Sequence, residues 1–434
     1  MVHIKKLSHL GLAVYVLLAA APVVLWLAGT GIDGHFGSLS DFLKTLGKAS
    51  AFIGLALYSL APVLSMRYRI IEKVFGGLDT VYRLHKRTGK LAFCFICAHP
   101  VLLGAGRLVQ GKSLTTVWNW ASATVIVGLL AFLLLVILAV VAIYAHIRHQ
   151  RWIMIHRLFG WLLPLLLIHA LLAEAQLTAV PALCIYMMTL FVVGMVSFAY
   201  RSVFSMFIRR YRYQVVEVNT MTSAVTELVL KPLGVPINYT PGQFAYLSLE
   251  SDAIDDEAHP YSFTTGANGP YVRFAIKSLG DDTAKMKNVQ KGTKAFLEGP
   301  FGKFSLYNSK SDHQIWIAGG VGITPFLSMA RSLKPGDKHH IHLFYGADKL
   351  DDAVFLKEII AIRKTIPDNF EFTLVNKEWS GFVSTDILSK NVPDYATCDY
   401  LICGPPGMMA ALKKGLAGKG VTAQQIFTEE FSVM

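Results

Sequence analysis

The chain has 434 residues, of which 53% are hydrophobic and 16% charged, and its net charge is +12. Soluble domains carry about 25% charged residues, so this composition excludes a wholly soluble protein. Residues 1–213 hold 20 Lys and Arg against 5 Asp and Glu, and residues 214–434 hold 21 against 24; the basic excess belongs to the apolar half, as a membrane topology signal and not a nucleic-acid surface.

Leu10–Ala28 is the first apolar run, after Lys5 and Lys6. Small residues at Ala19–Ala21 would suit signal cleavage, but the run is long for a signal peptide and an uncleaved spanning helix is expected. Gly29–Asp41 reads as a short loop and Ala49–Leu64 as a second span. The third runs from about Leu84 to Gly106, the fourth over Val117–Tyr144, the fifth from Trp152, and the sixth over Val180–Ser205. Loops on one side hold 16 of the 20 basic residues; the other side has Lys44, Lys48, Arg107 and Lys112. Both termini are therefore expected in the cytoplasm.

Spans three and five are variants of one pattern. Each opens with basic residues, places a histidine with a glycine four residues later, and then a second histidine: His85, Gly89 and His99, then His156, Gly160 and His169. Thirteen or fourteen residues of helix rise roughly 20 Å, about two-thirds of a hydrocarbon core about 30 Å thick. Side by side, the two helices would offer one histidine pair near each membrane face. Such pairs suit a planar metal macrocycle that needs an axial imidazole from each side, so the reading is a bis-histidine cytochrome with two haem b. A lone histidine in an apolar helix is more often a satisfied polar group; four in matched spacing reverse that expectation. One difficulty is phase: on an ideal helix His156 and His169 point roughly 140° apart, and Pro164 lies between them. Cys94 and Cys97 miss the spacing of covalent haem attachment and read as buried small hydrophobes.

After Arg212 the period changes to two. Tyr213–Val218, Ala224–Leu230, Phe244–Leu249, Val272–Ile276 and Thr293–Leu297 predict a small antiparallel barrel. Gln314–Ala318, Ile341–Tyr345, Phe370–Val375 and Tyr400–Cys403 alternate with helical stretches, which predicts a parallel α/β layout. The whole is multi-domain: a six-helix haem-binding bundle over 1–208, a barrel over 209–308 and an α/β domain over 309–434. Gly319-Gly320-Val-Gly322 falls at a strand-to-helix turn where backbone can approach a pyrophosphate. Thr324 is expected to cap the following helix and Pro325 to start it.

His259-Pro260-Tyr261-Ser262, Lys277-Ser-Leu-Gly280-Asp-Asp-Thr283, Glu298-Gly-Pro-Phe-Gly302, the glycine turn and Cys403-Gly404-Pro405 follow in order. This set resembles the ferredoxin–NADP reductase type of module. With the four-histidine half, the chain resembles the NADPH oxidase and ferric reductase superfamily, of bacterial type. The resemblance implies FAD, two haems and NADPH or NADH as cofactors, in a bacterial inner membrane. It places Tyr261 on the isoalloxazine, Ser262 near the reactive ring nitrogen, and His259 and Pro260 beside them. Lys277, Gly280 and Thr283 would lie near the flavin or its pyrophosphate, Cys403, Gly404 and Pro405 beside the nicotinamide, and Phe431 over the flavin face.

The resulting function is transfer of electrons from cytoplasmic NAD(P)H through FAD and both haems to an outer acceptor. Oxygen giving superoxide is favoured over a ferric chelate, a quinone or a partner protein. Where oxygen-reducing relatives carry a further histidine beyond the outer ligand, this chain has Leu103. Asp348 is expected to disfavour a 2′-phosphate, while Lys349 and Arg331 favour one, so both nucleotides should serve, with weaker NADPH preference than is usual for the family. The rival of a different class is a proton-coupled transporter with relay histidines and a regulatory nucleotide domain.

Overall fold

The computed structural model describes residues 2–32, 35–113, 122–145, 147, 149–173, 175–203, 210–251, 254–255, 257–267 and 269–430. They form two compact units, 3–207 and 208–434.

In the first unit the helices are α1 (Val2–Thr30), α2 (Leu39–Leu64), a short α3 (Arg69–Phe75), α4 (Leu78–Val109), α5 (Ala123–Tyr144), α6 (His149–Ala173), a short α7 (Ala175–Ala179) and α8 (Pro181–Ser202). Six of them are long and apolar enough to cross a membrane. Residues 117–121 of the expected fourth span, and 204–205 of the sixth, lie outside the described residues. In α2, Ser38 caps the start by accepting from Asp41 N–H. Helix α2 is central because its small residues admit neighbours: a Cβ on Gly47 would meet Leu103 of α4 at 3.0 Å, and one on Gly54 would meet Ile96 at 2.9 Å. On α8, a Cβ on Gly194 would lie 2.4 Å from Ser59 O. In lipid there is little hydrophobic force between helices, so such close approach supplies the packing.

The second unit begins with strands β1 (Tyr211–Thr222), β2 (Val225–Pro232), β3 (Phe244–Glu250), β4 (His259–Ser262), β5 (Val272–Lys277) and β6 (Lys294–Phe301). They make a six-stranded antiparallel sheet in the order β4-β3-β6-β1-β2-β5. Its two edges meet where Thr264 N–H donates to Arg273 O at 3.0 Å, just beyond β4. A one-turn helix α9 (Asp281–Lys285) follows β5.

The parallel sheet has the order β11-β10-β7-β8-β9, with β7 (His313–Gly319), β8 (His340–Ala347), β9 (Phe370–Asn376), β10 (Asp399–Cys403) and β11 (Ile426–Glu429). Helices α10 (Thr324–Ala330), α11 (Leu356–Thr365), α12 (Lys377–Ser380), α13 (Thr385–Asn391) and α14 (Pro406–Gly418) connect the strands. Trp316, Tyr345 and Phe326 pack on one face of this sheet, and Ile315, Phe344 and Tyr400 on the other. Two strands were not expected from the period: β4, which bears His259–Ser262, and β11. Each has only four residues, too few to display alternation.

Candidate active site

In the first unit the four histidines come together as two pairs. The rings of His85 and His156 have centroids 6.1 Å apart, and those of His99 and His169 are 6.2 Å apart. Two metal–imidazole bonds of about 2 Å, plus half of each ring, span about 6 Å, so each gap fits one metal ion. Among the described residues no group of three or more His, Cys, Asp or Glu could hold a bare metal ion. Two protein ligands per site suit a metal that brings its remaining ligands in a macrocycle.

Three of the rings are anchored through Nδ1, which leaves Nε2 for a metal. His85 Nδ1 lies 2.9 Å from Ala61 O, His99 Nδ1 3.0 Å from Gly47 O, and His169 Nδ1 3.0 Å from Thr124 O. Ala61 O is available because Ser65 N–H, its ordinary helical partner, turns to Pro62 O as α2 ends. His156 differs: its buried Nδ1 has no partner, and its ring stacks on Trp152 at 4.7 Å and 10°. Trp152 is in turn held by Nε1–H donating to Ala142 O of α5.

The two HxxxG glycines do different jobs. Gly89 has open space around its Cβ position, as a ring passing close to the backbone would require. Gly160 is pressed against the Phe198 ring, with 2.2 Å to a built Cβ, so it serves helix packing. The glycine that makes room for a ligand ring is Gly128, whose Cβ would lie 2.5 Å from His169 Cε1. No repeat in the sequence marks it.

In the second unit, the strand β4 carries three orphans within four residues: His259 Nε2, Tyr261 Oη and Ser262 Oγ are buried without a hydrogen-bond partner. Buried polar atoms are rarely left so, and a group of three is what a bound polar ring system would satisfy. Burial, followed by the nearby Asp282 carboxylate, pushes the Tyr261 phenol well up, so it stays protonated. Asp282 belongs to α9, which therefore lies near Tyr261. Lys277, at the end of β5, is exposed, and a Cβ on Gly280 would meet nothing within 4 Å. Thr283 is turned back onto the start of α9, its hydroxyl accepting from Leu279 and Gly280 N–H and donating to Gly280 O.

Cys403 is fully buried at the end of β10, in register with Ala318 on one side and Glu429 on the other. Burial, then Glu429, raises its thiol well above the ordinary range, which makes it a neutral thiol rather than a thiolate. Glu429 is itself buried, and its Oε2 lies 3.6 Å from the Cβ position of Gly302. Gly302 packs on Phe244, the register partner of Ser262. The motifs 259–262, 298–302 and 403–405 thus meet through Glu429, a residue to which the sequence analysis gave no role. Phe431 lies outside the described residues.

The glycine turn is tighter than expected. A Cβ on Gly319 would meet Pro405 Cδ at 2.8 Å, one on Gly322 would meet Cys403 O at 2.3 Å, and one on Gly404 would meet Met408 Cε at 2.5 Å. These three glycines interlock two turns of protein. Gly320, at φ +54° with nothing within 4 Å, is the one open for a ligand. Thr324 does not cap. A 3-10 turn over Gly320–Ile323 winds directly into α10, so Ile323 is already helical and Thr324 Oγ1 donates back to Val321 O. Pro325 does stand in the first turn of α10.

Three family matches tile most of the chain. Residues 50–167 match the ferric reductase like transmembrane component, 210–324 an FAD-binding domain, and 316–414 an oxidoreductase NAD-binding domain. The chain has the make-up of the NADPH oxidase and ferric reductase superfamily. Its first unit holds the ferric-reductase-like helices, and its second holds the FAD-binding and NAD-binding domains. The chain is 28% identical over 239 residues to the reductase component of propane 2-monooxygenase from Rhodococcus jostii (strain RHA1), covering 51% of this chain and 63% of that protein. It is 30% identical over 210 residues to the glycine betaine monooxygenase reductase subunit of Chromohalobacter salexigens, covering 44% of this chain and 56% of that protein. The chain thus spans less than two-thirds of either relative. The FAD/NAD-binding domain of nitric oxide dioxygenase from Vibrio cholerae O1 biovar El Tor aligns over 51% of this chain and 98% of its own, with 23% identity and a TM-score of 0.44.

Proposed function

We propose that this transmembrane oxidoreductase takes electrons from cytoplasmic NAD(P)H and delivers them, through FAD and two b-type haems, to oxygen on the outer face as superoxide. The observation that carries the reading is the pair of 6.1 and 6.2 Å histidine gaps within the ferric-reductase-like unit. When bound, FAD accepts two electrons as hydride and releases them singly, as haem irons require. Within the second unit, the Ser262 hydroxyl is free to donate to the reacting end of a flavin, and Tyr261 offers a half-buried ring to pack against it. Cys403, held as a neutral thiol at a strand end, borders the nicotinamide without competing as a nucleophile. In the first unit, Nδ1 contacts with backbone carbonyls hold His85, His99 and His169 in one orientation.

Basic groups at the outer end favour a small electron acceptor that becomes anionic. Lys44 packs its stem against Gly106, and Lys48 Nζ stands 5.9 Å over the Trp26 ring, both on the side of the His99–His169 pair. The test supplies NADH or NADPH and follows superoxide-dismutase-sensitive cytochrome c reduction beside ferric-chelate reduction under argon. Superoxide formation faster than anaerobic iron reduction is expected. Fast iron reduction with little superoxide in air would make the protein a ferric reductase.

Nucleotide choice follows from charges already committed. Arg331, one of the two cations expected to favour NADPH, is bound by Glu358 and Thr264 O. Asp348 follows β8 with Lys377 3.6 Å away, and an aspartate there suits a free ribose hydroxyl. NADH should therefore exceed NADPH in kcat/KM by about tenfold, the equivalent of about 1.4 kcal/mol. Asp348→Ala should narrow the ratio; an NADPH preference in the wild type would contradict this assignment.

A further inference from the structure

Helix α10, into which the glycine turn runs, also grips the segment that follows the flavin strand β4. Ser328 is fully buried and its hydroxyl donates to Thr265 O at 2.6 Å. Arg331 lies three residues on, on the same helix face. Its Nη1 donates to Thr264 O, while Nε and Nη2 hold Glu358 of α11 at 2.6 and 2.8 Å. A two-point pair of this kind fixes the plane of the guanidinium. The segment is held from its other side by Tyr239, whose ring stacks on Phe263 at 3.8 Å and whose hydroxyl lies 2.7 Å from Thr265 Oγ1 and 2.9 Å from Gly266 O. Burial raises the Tyr239 phenol to about 12, which keeps it a donor. Gly266 completes the fit, because a Cβ there would lie 3.0 Å from Ser332 Oγ.

Thr264 stands two residues after Ser262, while Ser328 stands on the helix directly after Gly319–Ile323 and Arg331 caps the end of that helix. The clamp thus connects the strand assigned to the flavin with the turn assigned to the nucleotide, through short hydrogen bonds from Ser328 and Arg331. We propose that Arg331, oriented by Glu358, is a positioning residue that sets the separation of the nicotinamide and flavin rings. The inference rests on the hydride-transfer reading above. In that step a C–H bond of the dihydronicotinamide breaks, its hydrogen leaves with both electrons, and an N–H bond forms on the flavin. The nucleotide is oxidised by two electrons and the flavin reduced by two. A misplacement of about 1 Å can slow such a step about a hundredfold without loss of binding.

The experiment uses the full-length protein loaded with FAD, under argon, and measures flavin reduction by NADH in a stopped-flow instrument. Arg331→Ala should lower the limiting rate at least tenfold, with FAD content unchanged and the NADH dissociation constant within threefold of wild type. Arg331→Lys, which can still reach Thr264 O, should recover part of the rate, and Glu358→Gln should fall between. Amide exchange over 263–267, measured without nucleotide, should quicken in Arg331→Ala. A limiting rate within twofold of wild type, unchanged exchange at 263–267, or a loss that only follows FAD content would overturn the inference. If Arg331→Ala does not accumulate, Glu358→Gln and Ser328→Ala decide by the same rate and exchange criteria. A wild-type flavin that neither NADH nor NADPH reduces would overturn the hydride-transfer reading itself, and this is seen before any variant is made.

Discussion

His169→Ala should leave the protein with one low-spin haem where the wild type should bind two. Each iron would depend on both imidazoles of its pair, and the partner His99, 6.2 Å away ring to ring, cannot supply the second axial bond. His99→Ala should have the same effect at the outer site. His85→Ala and His156→Ala should remove the inner haem and leave the outer spectrum intact. The measurement is haem per protein by pyridine haemochrome, with the oxidised and reduced absorption spectra of each variant. Electron delivery to the outer face should fall to background in all four. A subtler variant tests the same geometry: Gly128→Ala places a methyl 2.5 Å from His169 Cε1, so the ring must move and outer-haem occupancy should drop. Two low-spin haems retained in all four alanine variants would remove haem ligation from these residues.

Gly322→Ala should weaken NADH at least tenfold while FAD stays bound. The added methyl would lie 2.3 Å from Cys403 O and 2.9 Å from Gly404 Cα, both backbone atoms that cannot swing aside. Relief requires the turn after β7 to part from the turn after β10, although the two strands are hydrogen-bonded neighbours. Overpacking of this kind costs about 1–3 kcal/mol, and each 1.4 kcal/mol is tenfold in affinity. The loss should appear in the NADH dissociation constant and as a lower melting temperature. Gly320→Ala is the informative comparison. Its Cβ meets no protein atom, so any effect comes from strain at φ +54° or from contact with a ligand. Nucleotide affinity should fall there with a smaller loss of melting temperature than in Gly322→Ala. Equal melting and affinity losses in the two variants would mean that the glycines do not divide the work in this way.

Local period was enough to read the architecture. Six apolar runs, a change to alternation after Arg212 and short buried strands between helical stretches depend on neighbours in the chain, and the fold follows them. The motifs of the second half were legible for the same reason, since each is a turn or strand end of consecutive residues. What lay beyond the sequence is what depends on how elements face one another. His156 and His169 point roughly 140° apart on an ideal helix, yet each meets its partner on α4, because ring position also depends on helix packing and rotamer. Gly128 is one glycine in an apolar helix until His169 is seen against it, and Gly160 is half of a motif until Phe198 is. Arg331 reads as a free cation near a nucleotide turn, but Glu358, 27 residues further on, holds it in a clamp. The sequence by itself determined the elements, their order and the chemistry each could carry, since those rest on residue type and period. Only the tertiary structure decided which histidines pair, which glycines meet protein rather than ligand, and which charges are already spent, because contacts between distant residues are set by packing and leave no local pattern.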